Sequence, residues 1–358
     1  MKVSVALPSE LDRSHLDRWG DFQMADQRLA NPFLSPEFAL AVGRARPTAR
    51  VAVLEDGHHV VGYFPHERDW LGVGRPMGVG ISDAQGVVHG PGVQWDVHEL
   101  LAGARLAVWE FDHLLAYQSS FAPYHVTSAL SPVIDLSAGF DRYVAGHRHR
   151  AKEVRRTERM LEREFGEVTF SFQVEDRSCL RLLMRWKSAQ YRRTGRSDRF
   201  ANRTIVQVVD DLMESRAPGC EGTLSVLRAA GQPIALRFGL RSHRTLFGWF
   251  PAFDLAFAKY KPGSQLLWKV AEAAAAHGVE RVDLGKGHEP YKQDFKNADV
   301  PLAEGWVERP TVVARVRGVQ RAPRRLVTDF VLSRPALRVG ARRALRGLGY
   351  MRTMGSAR

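Results

Sequence analysis

Cysteine is almost missing from this chain. Its 358 residues include two, Cys179 and Cys220, too few for a disulfide framework, and no Cys/His spacing suggests zinc. No apolar run reaches the roughly 18 residues of a membrane-spanning helix. The opening Met1–Pro8 has one cation and a short apolar stretch ended by Pro8, which is too short for a signal peptide. These absences point to a soluble protein of the reducing cytoplasm. With 31 Gly, 18 Pro, 44% hydrophobic and 25% charged residues, whole-chain disorder and collagen-like repeats are also excluded. The length exceeds what one hydrophobic core usually serves, so two domains are expected.

Acid is scarce at the C-terminal end. Thr311 to Arg358 holds twelve Arg, no Lys and one acid, Asp329, so that segment carries +11 of the formal +13 and residues 1–310 only +2. The basic character is therefore a polycationic tail, and it is no evidence for a nucleic-acid-binding fold. Apolar residues such as Val316, Val319, Leu326, Phe330 and Leu337 interleave with the arginines. A basic amphipathic segment of this kind suits an anionic membrane surface, although Pro323 and Pro335 interrupt any continuous helix. RNA and simple solvation are the alternatives. The expectation is weak, salt-sensitive liposome binding that is lost on truncation at Pro310.

Hydrophobic patterning gives a mixed α/β succession. Ser9–Leu29 has helical spacing with Ser9 or Ser14 as cap, and Ser35-Pro36 starts a second helix. Arg50–Glu55 and Val60–Pro65 flank the turn Asp56-Gly57 as a hairpin. Residues 71–92 are glycine-rich and irregular. Leu100–Ala107 reads as helix and Val108–Leu115 as strand. A boundary is expected from Ser131-Pro132 to Gly139, followed by one strongly basic helix over Ser137–Phe165. Further on, Val168–Val174 is a strand, Arg177–Thr194 and Thr204–Ser215 are helices, and Thr223–Ala229, Pro233–Leu240 and Arg244–Pro251 are strands. Ser264–His277 is a helix closed by Gly278, and Val279–Leu284 a buried strand.

Chemistry concentrates between Trp249 and Phe295. The loop Tyr260-Lys261-Pro262-Gly263-Ser264 opens onto a helix N-terminus, where free N–H groups and the helix dipole favour an anion. Lys259 and Lys261 add charge, and an ordinary capped helix is the plain alternative. After the Val279 strand come Asp283, Lys286, His288, Glu289, Tyr291 and Lys292. That set could hold and move protons for a group transfer. Solvated loop charges and a packed tyrosine would look the same.

This stretch resembles the acetyltransferase domain of the GNAT superfamily, in its CelD-like branch associated with cellulose biosynthesis. The resemblance rests on Phe253 to Gly263, Val282-Asp283-Leu284-Gly285 and Glu289-Pro290-Tyr291-Lys292, and covers roughly residues 140–300. Phe33 to Phe38 and Ser82-Asp83 to Pro91-Gly92 extend it to the first half, in the tandem arrangement of the Fem-type aminoacyl transferases. The resemblance implies two GNAT-like domains, each a mixed, mostly antiparallel sheet flanked by helices. Residues 1–135 would be a degenerate copy, 136–310 the catalytic one and 311–358 the basic tail. It also implies an acyl-CoA donor, acetyl-CoA above all, and no metal. The donor would be held by Lys259, Tyr260, Lys261, Gly263, Ser264 and Gln265, although the usual Gln/Arg-x-x-Gly-x-Gly/Ala is replaced by one Gly and a Pro. Tyr291, Glu289, His288 and Asp283 are the catalytic candidates. Trp186, Lys187, Tyr191, Arg192, Asp254 and Lys292 are the acceptor-binding candidates. The acceptor would be an amine or hydroxyl of a sugar, lipid-linked or amino-acid-derived molecule. A tRNA-linked donor and a non-catalytic accessory role in polysaccharide assembly stand as alternatives.

Overall fold

The computed structural model describes residues 1–318. Most of the basic tail, with the liposome-binding behaviour expected of it, lies outside the described residues. The chain opens with strand β1 (Lys2–Ala6), helices α1 (Arg13–Ala25) and α2 (Pro36–Ala45), and the hairpin β2 (Ala49–Asp56) and β3 (His59–Arg68). Short strands β4 (Val73–Pro76) and β5 (Val88–His89), helix α3 (Val97–Gly103), and strands β6 (Val108–Leu115) and β7 (His125–Asp135) follow. Next come helices α4 (Phe140–Gly146) and α5 (Arg148–Phe165), strand β8 (Val168–Ser171), and helices α6 (Arg177–Arg193) and α7 (Arg203–Met213). Strands β9 (Arg216–Ala217), β10 (Cys220–Ala229), β11 (Gln232–Ser242) and β12 (Thr245–Phe253) form a meander. Helix α8 (Pro262–Ala276), strand β13 (Arg281–Asp283), helix α9 (Pro290–Phe295) and strand β14 (Ala298–Glu308) complete the described part.

Local chemistry explains most of these elements. Ser35 accepts a hydrogen bond from the Phe38 N–H, and Pro36 occupies the first helical position of α2, so a capped start is built into the sequence. Gly57 turns the first hairpin with φ +58°. Ala230 and Gly231 turn the β10–β11 hairpin, both at positive φ, the twist that two-residue hairpins favour. Gly278, at φ +75°, ends α8.

Four expectations need correction. Helix α1 is capped by Asp12, which accepts from the His15 N–H, while Ser9 lies in a separate single turn, Pro8–Glu10. The basic segment is two helices, because the chain turns at His147, whose ring stacks on Tyr143 at 4.3 Å and meets the Tyr143 carbonyl at 3.0 Å. Residues 131–135 belong to strand β7. Its Pro132 misled the reading, since proline seldom sits in a central strand. The glycine-rich stretch contains β4 and β5.

The fourteen strands of the described residues form a single mixed sheet. Twelve follow the order β1-β2-β3-β4-β6-β14-β7-β13-β12-β11-β10-β8, with β5 beside β3 and β9 beside β10. Pairing is antiparallel except for β4–β6 and β12–β13. Strand β14, which sequence patterning missed, lies between β6 and β7. Strand β7 in turn pairs with β13. The two ends of the described chain are thus laced into one sheet. One core cluster joins α1 and α2 to α6, α7 and the β10–β12 meander; there Phe33 meets Phe247 at 4.7 Å and Trp249 at 5.4 Å. A second packs α4, α5 and α8 on the other face. Among the described residues, no helix is long and apolar enough to cross a membrane.

The lacing strand has little room to spare. A Cβ at Gly305 of β14 would lie 2.1 Å from the Tyr124 carbonyl oxygen and 3.0 Å from the Phe111 ring. Backbone cannot yield as a flexible side chain can, so Gly305→Ala should cost about 1–3 kcal/mol. Urea unfolding of the two proteins measures this directly, and equal midpoints would contradict the packing described.

Candidate functional site

Strands β12 and β13 run parallel from Thr245/Arg281 to Phe247/Asp283, and there β13 stops. Strand β12 continues to Phe253 paired only with β11. The split opens a cavity of about 530 Å³. Helix α6 supplies Lys187, Gln190 and Tyr191 to its wall, and β11 and β12 supply Arg237 and Pro251–Phe253. The first turn of α8 and the Glu289–Tyr291 segment close the ends.

At the α8 end, Lys261 takes the left-handed conformation, φ +53°, and offers no side-chain cap. The Ser264 and Gln265 N–H groups return to the Lys261 carbonyl at 3.0 and 3.2 Å. Pro262 has no N–H, so among the described residues the Gly263 N–H stands without an intramolecular partner at a helix N-terminus. A Cβ on Gly263 would meet only the Phe253 ring, at 3.5 Å, which is ordinary contact. Gln265 does not face the cavity. It is fully buried and donates to the Tyr260 carbonyl at 2.9 Å, bracing the loop from beneath. Tyr260 is likewise buried. Lys261 lines the cavity and pairs with Glu153. Lys259 sits outside it, 2.9 Å from Glu164. The glutamates interleaved in α5 therefore engage both lysines, through exposed pairs of modest strength.

At the other end, the Glu289 carboxylate lies 3.2 Å from Lys292 Nζ and 3.5 Å from Arg196. Burial pushes its pKa up, but Lys292, its own backbone N–H and Arg196 outweigh burial and hold it below the usual glutamate value. A Cβ on Gly287, whose φ is +145°, would fall 2.2 Å from this carboxylate, so glycine is needed there. Burial raises the Tyr291 phenol against the opposing charge of Arg237, keeping it a proton donor at neutral pH. Lys187 donates to the Pro251 carbonyl at 3.0 Å. Desolvation first, then the charges of Arg196, Arg199, Arg237 and Lys292, bring its ammonium down to about 8.

Asp283 and Lys292 form the brace under the 283–289 loop. The Asp283 carboxylate accepts from Ser131 and from the Gly285 N–H, and burial raises it to about 6. Lys292 donates to the carbonyls of Gly285 and Lys286 at 3.0 and 3.1 Å. His288 is exposed and does not line the cavity. Trp186 packs against the core, Arg192 pairs with Asp198 at 3.0 Å, and Asp254 caps the turn that follows β12. The structure therefore gathers Lys187, Tyr191, Lys261, Gly263, Ser264, Glu289 and Tyr291 around one cavity. Sequence reasoning missed Arg237 in that wall. Its signal was a lone cation in the otherwise apolar strand Ile234–Leu240. Among the described residues, no group of three or more His, Cys, Asp and Glu could hold a metal ion.

Residues 148–293 match the family model described as an acetyltransferase (GNAT) domain. That stretch is similar to a GNAT acetyltransferase domain, and the chain has a GNAT-like fold. Its fold is shared with FemX, at 10% identity over 72% of this chain and 87% of that one, with a TM-score of 0.51. It is also shared with a tandem GNAT protein from the clavulanic acid biosynthesis pathway, at 13% identity over 87% and 99% of the two chains and a TM-score of 0.50. A conserved protein of unknown function from Bacteroides thetaiotaomicron VPI-5482 is similar too, at 11% identity over 83% and 97%, with a TM-score of 0.50. No curated protein matches the chain.

In this GNAT-fold site the Lys187 ammonium loses its charge close to neutrality. Its folded pKa lies below the free-lysine value of 10.5. The cost of burying the charged form is in force below about 8 and is relieved as pH rises toward 10.5. Carbon-13 spectra of lysine-labelled protein should show one Cε resonance titrating near 8 that is absent from Lys187→Arg. A spectrum in which every lysine titrates above 10 would contradict this environment.

Proposed function

We propose that the chain moves an acyl group, with acetyl as the leading candidate, from acyl-CoA to an amine or hydroxyl of a sugar, lipid-linked or amino-acid-derived acceptor. The observation that carries this reading is the strand split, which has at one end a helix N-terminus whose Gly263 N–H is without a partner among the described residues, and Lys187, Glu289 and Tyr291 at the other. In this reading residues 136–310 are the catalytic GNAT-like domain and residues 1–135 a degenerate copy, related to the CelD-like branch. The tail from residue 311 would rest on the anionic inner face of the membrane in the cytoplasm.

The Gly263 N–H, the α8 dipole and Lys261 would receive the donor's pyrophosphate. The donor supplies the thioester carbonyl when bound. Glu289 would take the acceptor's proton. It is favoured over His288 because it lines the cavity. The Tyr291 phenol would donate to the departing thiolate, and Lys187 or Tyr191 would position the acceptor. A tRNA-linked acyl donor is the second reading. It is supported by the sparse phosphate cradle, a single free N–H after Pro262 where two glycines are usual in the family.

Isothermal titration of acetyl-CoA into wild type and Gly263→Glu separates these readings. Glutamate is well tolerated in the first turn of a helix, and its backbone position has room here. Its carboxylate would nonetheless repel an anion at that turn. Micromolar binding lost in the variant is the expected result. No binding at millimolar donor would overturn acyl-CoA in favour of a tRNA-linked donor or a non-catalytic role.

A further inference from the structure

We propose that the turn between β3 and β4 is a membrane wedge, which seats Trp70 and Leu71 in the headgroup region of an anionic bilayer, beside the point where the basic tail leaves the sheet. This rests on the membrane placement proposed for the tail and adds the part of the folded body that meets the lipid. Trp70 is 91% exposed and Leu71 42%. A single exposed apolar side chain needs no explanation. A nearly bare indole followed by an exposed leucine at the tip of a tight turn does, because both forgo burial at one place.

The turn is built to keep its shape. The Asp69 carboxylate accepts from the Leu71 and Val73 N–H groups, both at 2.9 Å. The Asp69 N–H donates to the Val73 carbonyl, and the Gly72 N–H to the Asp69 carbonyl, each at 3.1 Å. An aspartate that serves the backbone two residues on fixes a turn locally. Gly72, at φ +77°, completes the reversal, and a Cβ there would lie 3.2 Å from the Arg105 carbonyl oxygen. The polar backbone is thus served within the turn, as entry into a water-poor interface requires. The two apolar side chains are presented on a preorganised support, which lowers the ordering cost of binding.

The charge around the wedge and its position name the occupant. The Gly72 carbonyl accepts from the Ala107 N–H at 2.8 Å, and the Ala107 carbonyl accepts from the Arg309 N–H at 2.9 Å. The wedge, the loop before β6 that carries Arg105, and the exit from β14 therefore share one edge of the sheet. Arg105 is exposed. Burial first, then the nearby charges of Arg50 and Arg105, hold the Arg68 guanidinium below its ordinary value. Among the acids of this edge, Asp69 is engaged by backbone, Glu67 by Arg46 and Thr48, and Glu308 ends β14. Past Arg309, residues 312–318 are helical, with Val312 and Val316 exposed one turn apart and Arg315 between them. Residues 319–358 add ten arginines against one acid. A tryptophan with an aliphatic neighbour, set among arginines, is the composition of an interfacial anchor. The apolar tip and the polycation supply the two signals that lasting attachment to an anionic surface needs. RNA would use the indole plane and the arginines but offers nothing to Leu71 or the two valines.

The test is co-sedimentation of the full chain with phosphatidylglycerol vesicles, with phosphatidylcholine vesicles and single-stranded RNA as the other probes. Wild type is compared with Trp70→Ser/Leu71→Ser, Trp70→Phe, Arg105→Asn and Arg155→Gln/Arg159→Gln, and melting temperatures are recorded without lipid. Asparagine suits the left-handed backbone of Arg105, φ +57°. The Arg155 and Arg159 pair is the control, two exposed cations on α5, which packs toward β8 and β10 at the far end of the sheet. Wild type should bind the anionic vesicles in preference to the neutral ones. Its tryptophan emission should shift to the blue and be quenched by lipid brominated near the headgroup. The double serine variant should melt with wild type, since both side chains are exposed, and bind about tenfold or more weakly. Trp70→Phe should keep most of the binding and lose the emission change. Arg105→Asn should weaken binding about fivefold at low salt, and the α5 pair should lose less than the double serine variant. No vesicle binding by wild type would overturn the membrane placement altogether, the tail included. Undiminished binding by the double serine variant, or an emission change that survives Trp70→Phe, would overturn the wedge and leave the tail. A loss in the α5 pair as large as in the serine variant would move the lipid contact to α5 and overturn the wedge. RNA binding that the serine variant weakens more than vesicle binding would reassign the tip to nucleic acid.

Discussion

The site depends on the parting of two parallel strands. Strand β13 ends at Asp283, and its neighbour β12 runs on to Phe253. A sheet left open on one side must hold its edge apart by other means. Here Asp283 does much of that work by accepting from Ser131 of β7 and from the Gly285 N–H. These bonds stop β13 and turn the chain away, toward the segment that carries Glu289 and Tyr291. Lys292 fixes that turn by donating to the Gly285 and Lys286 carbonyls. The buried ionisable groups under the loop thus act as braces, and the cavity is what they keep open.

The brace ties distant parts of the chain together. Ser131 belongs to β7, and β7 has β14 on its other edge. The sheet that frames the cavity therefore needs strands from both ends of the described chain. The core contacts of Phe33 with Phe247 and Trp249 cross the same divide. A first half that carried no chemistry of its own would still set the geometry of the second. The Trp249 indole N–H, which donates to the Ile81 carbonyl at 2.8 Å, is a direct example.

Much of this was legible in the sequence because local signals decided it. The Ser35-Pro36 cap, the Asp56-Gly57 turn, the strand Val108–Leu115 and the Gly278 stop each follow from a few neighbouring residues. The open loop before α8 was legible for the same reason. What escaped depends on long-range partners. Strand β14 has no strong alternation and is defined by β6 and β7. Strand β7 was hidden by Pro132, which the sheet accommodates in a way that local propensity does not anticipate. The site divided along the same line. Gly263, Tyr291 and Glu289 could be found from their spacing around one helix and one strand. The separation of Lys187 from Trp186, and of Glu289 from His288, could not, because only the packed structure decides which of two neighbours turns inward. Arg237 escaped because its place in the cavity wall is decided by packing against β12, and that fact belongs to the tertiary structure.

The central claim is that the cavity at the strand split receives an acyl-CoA whose phosphates sit at the first turn of α8. Amide hydrogen exchange on the full chain, with and without acetyl-CoA, tests it most directly. The account predicts slowed exchange at the Gly263, Ser264 and Gln265 amides and in the free-edged part of β12 that ends at Phe253. Acetyl-CoA that bound without protecting these amides, or that protected a different surface instead, would contradict it.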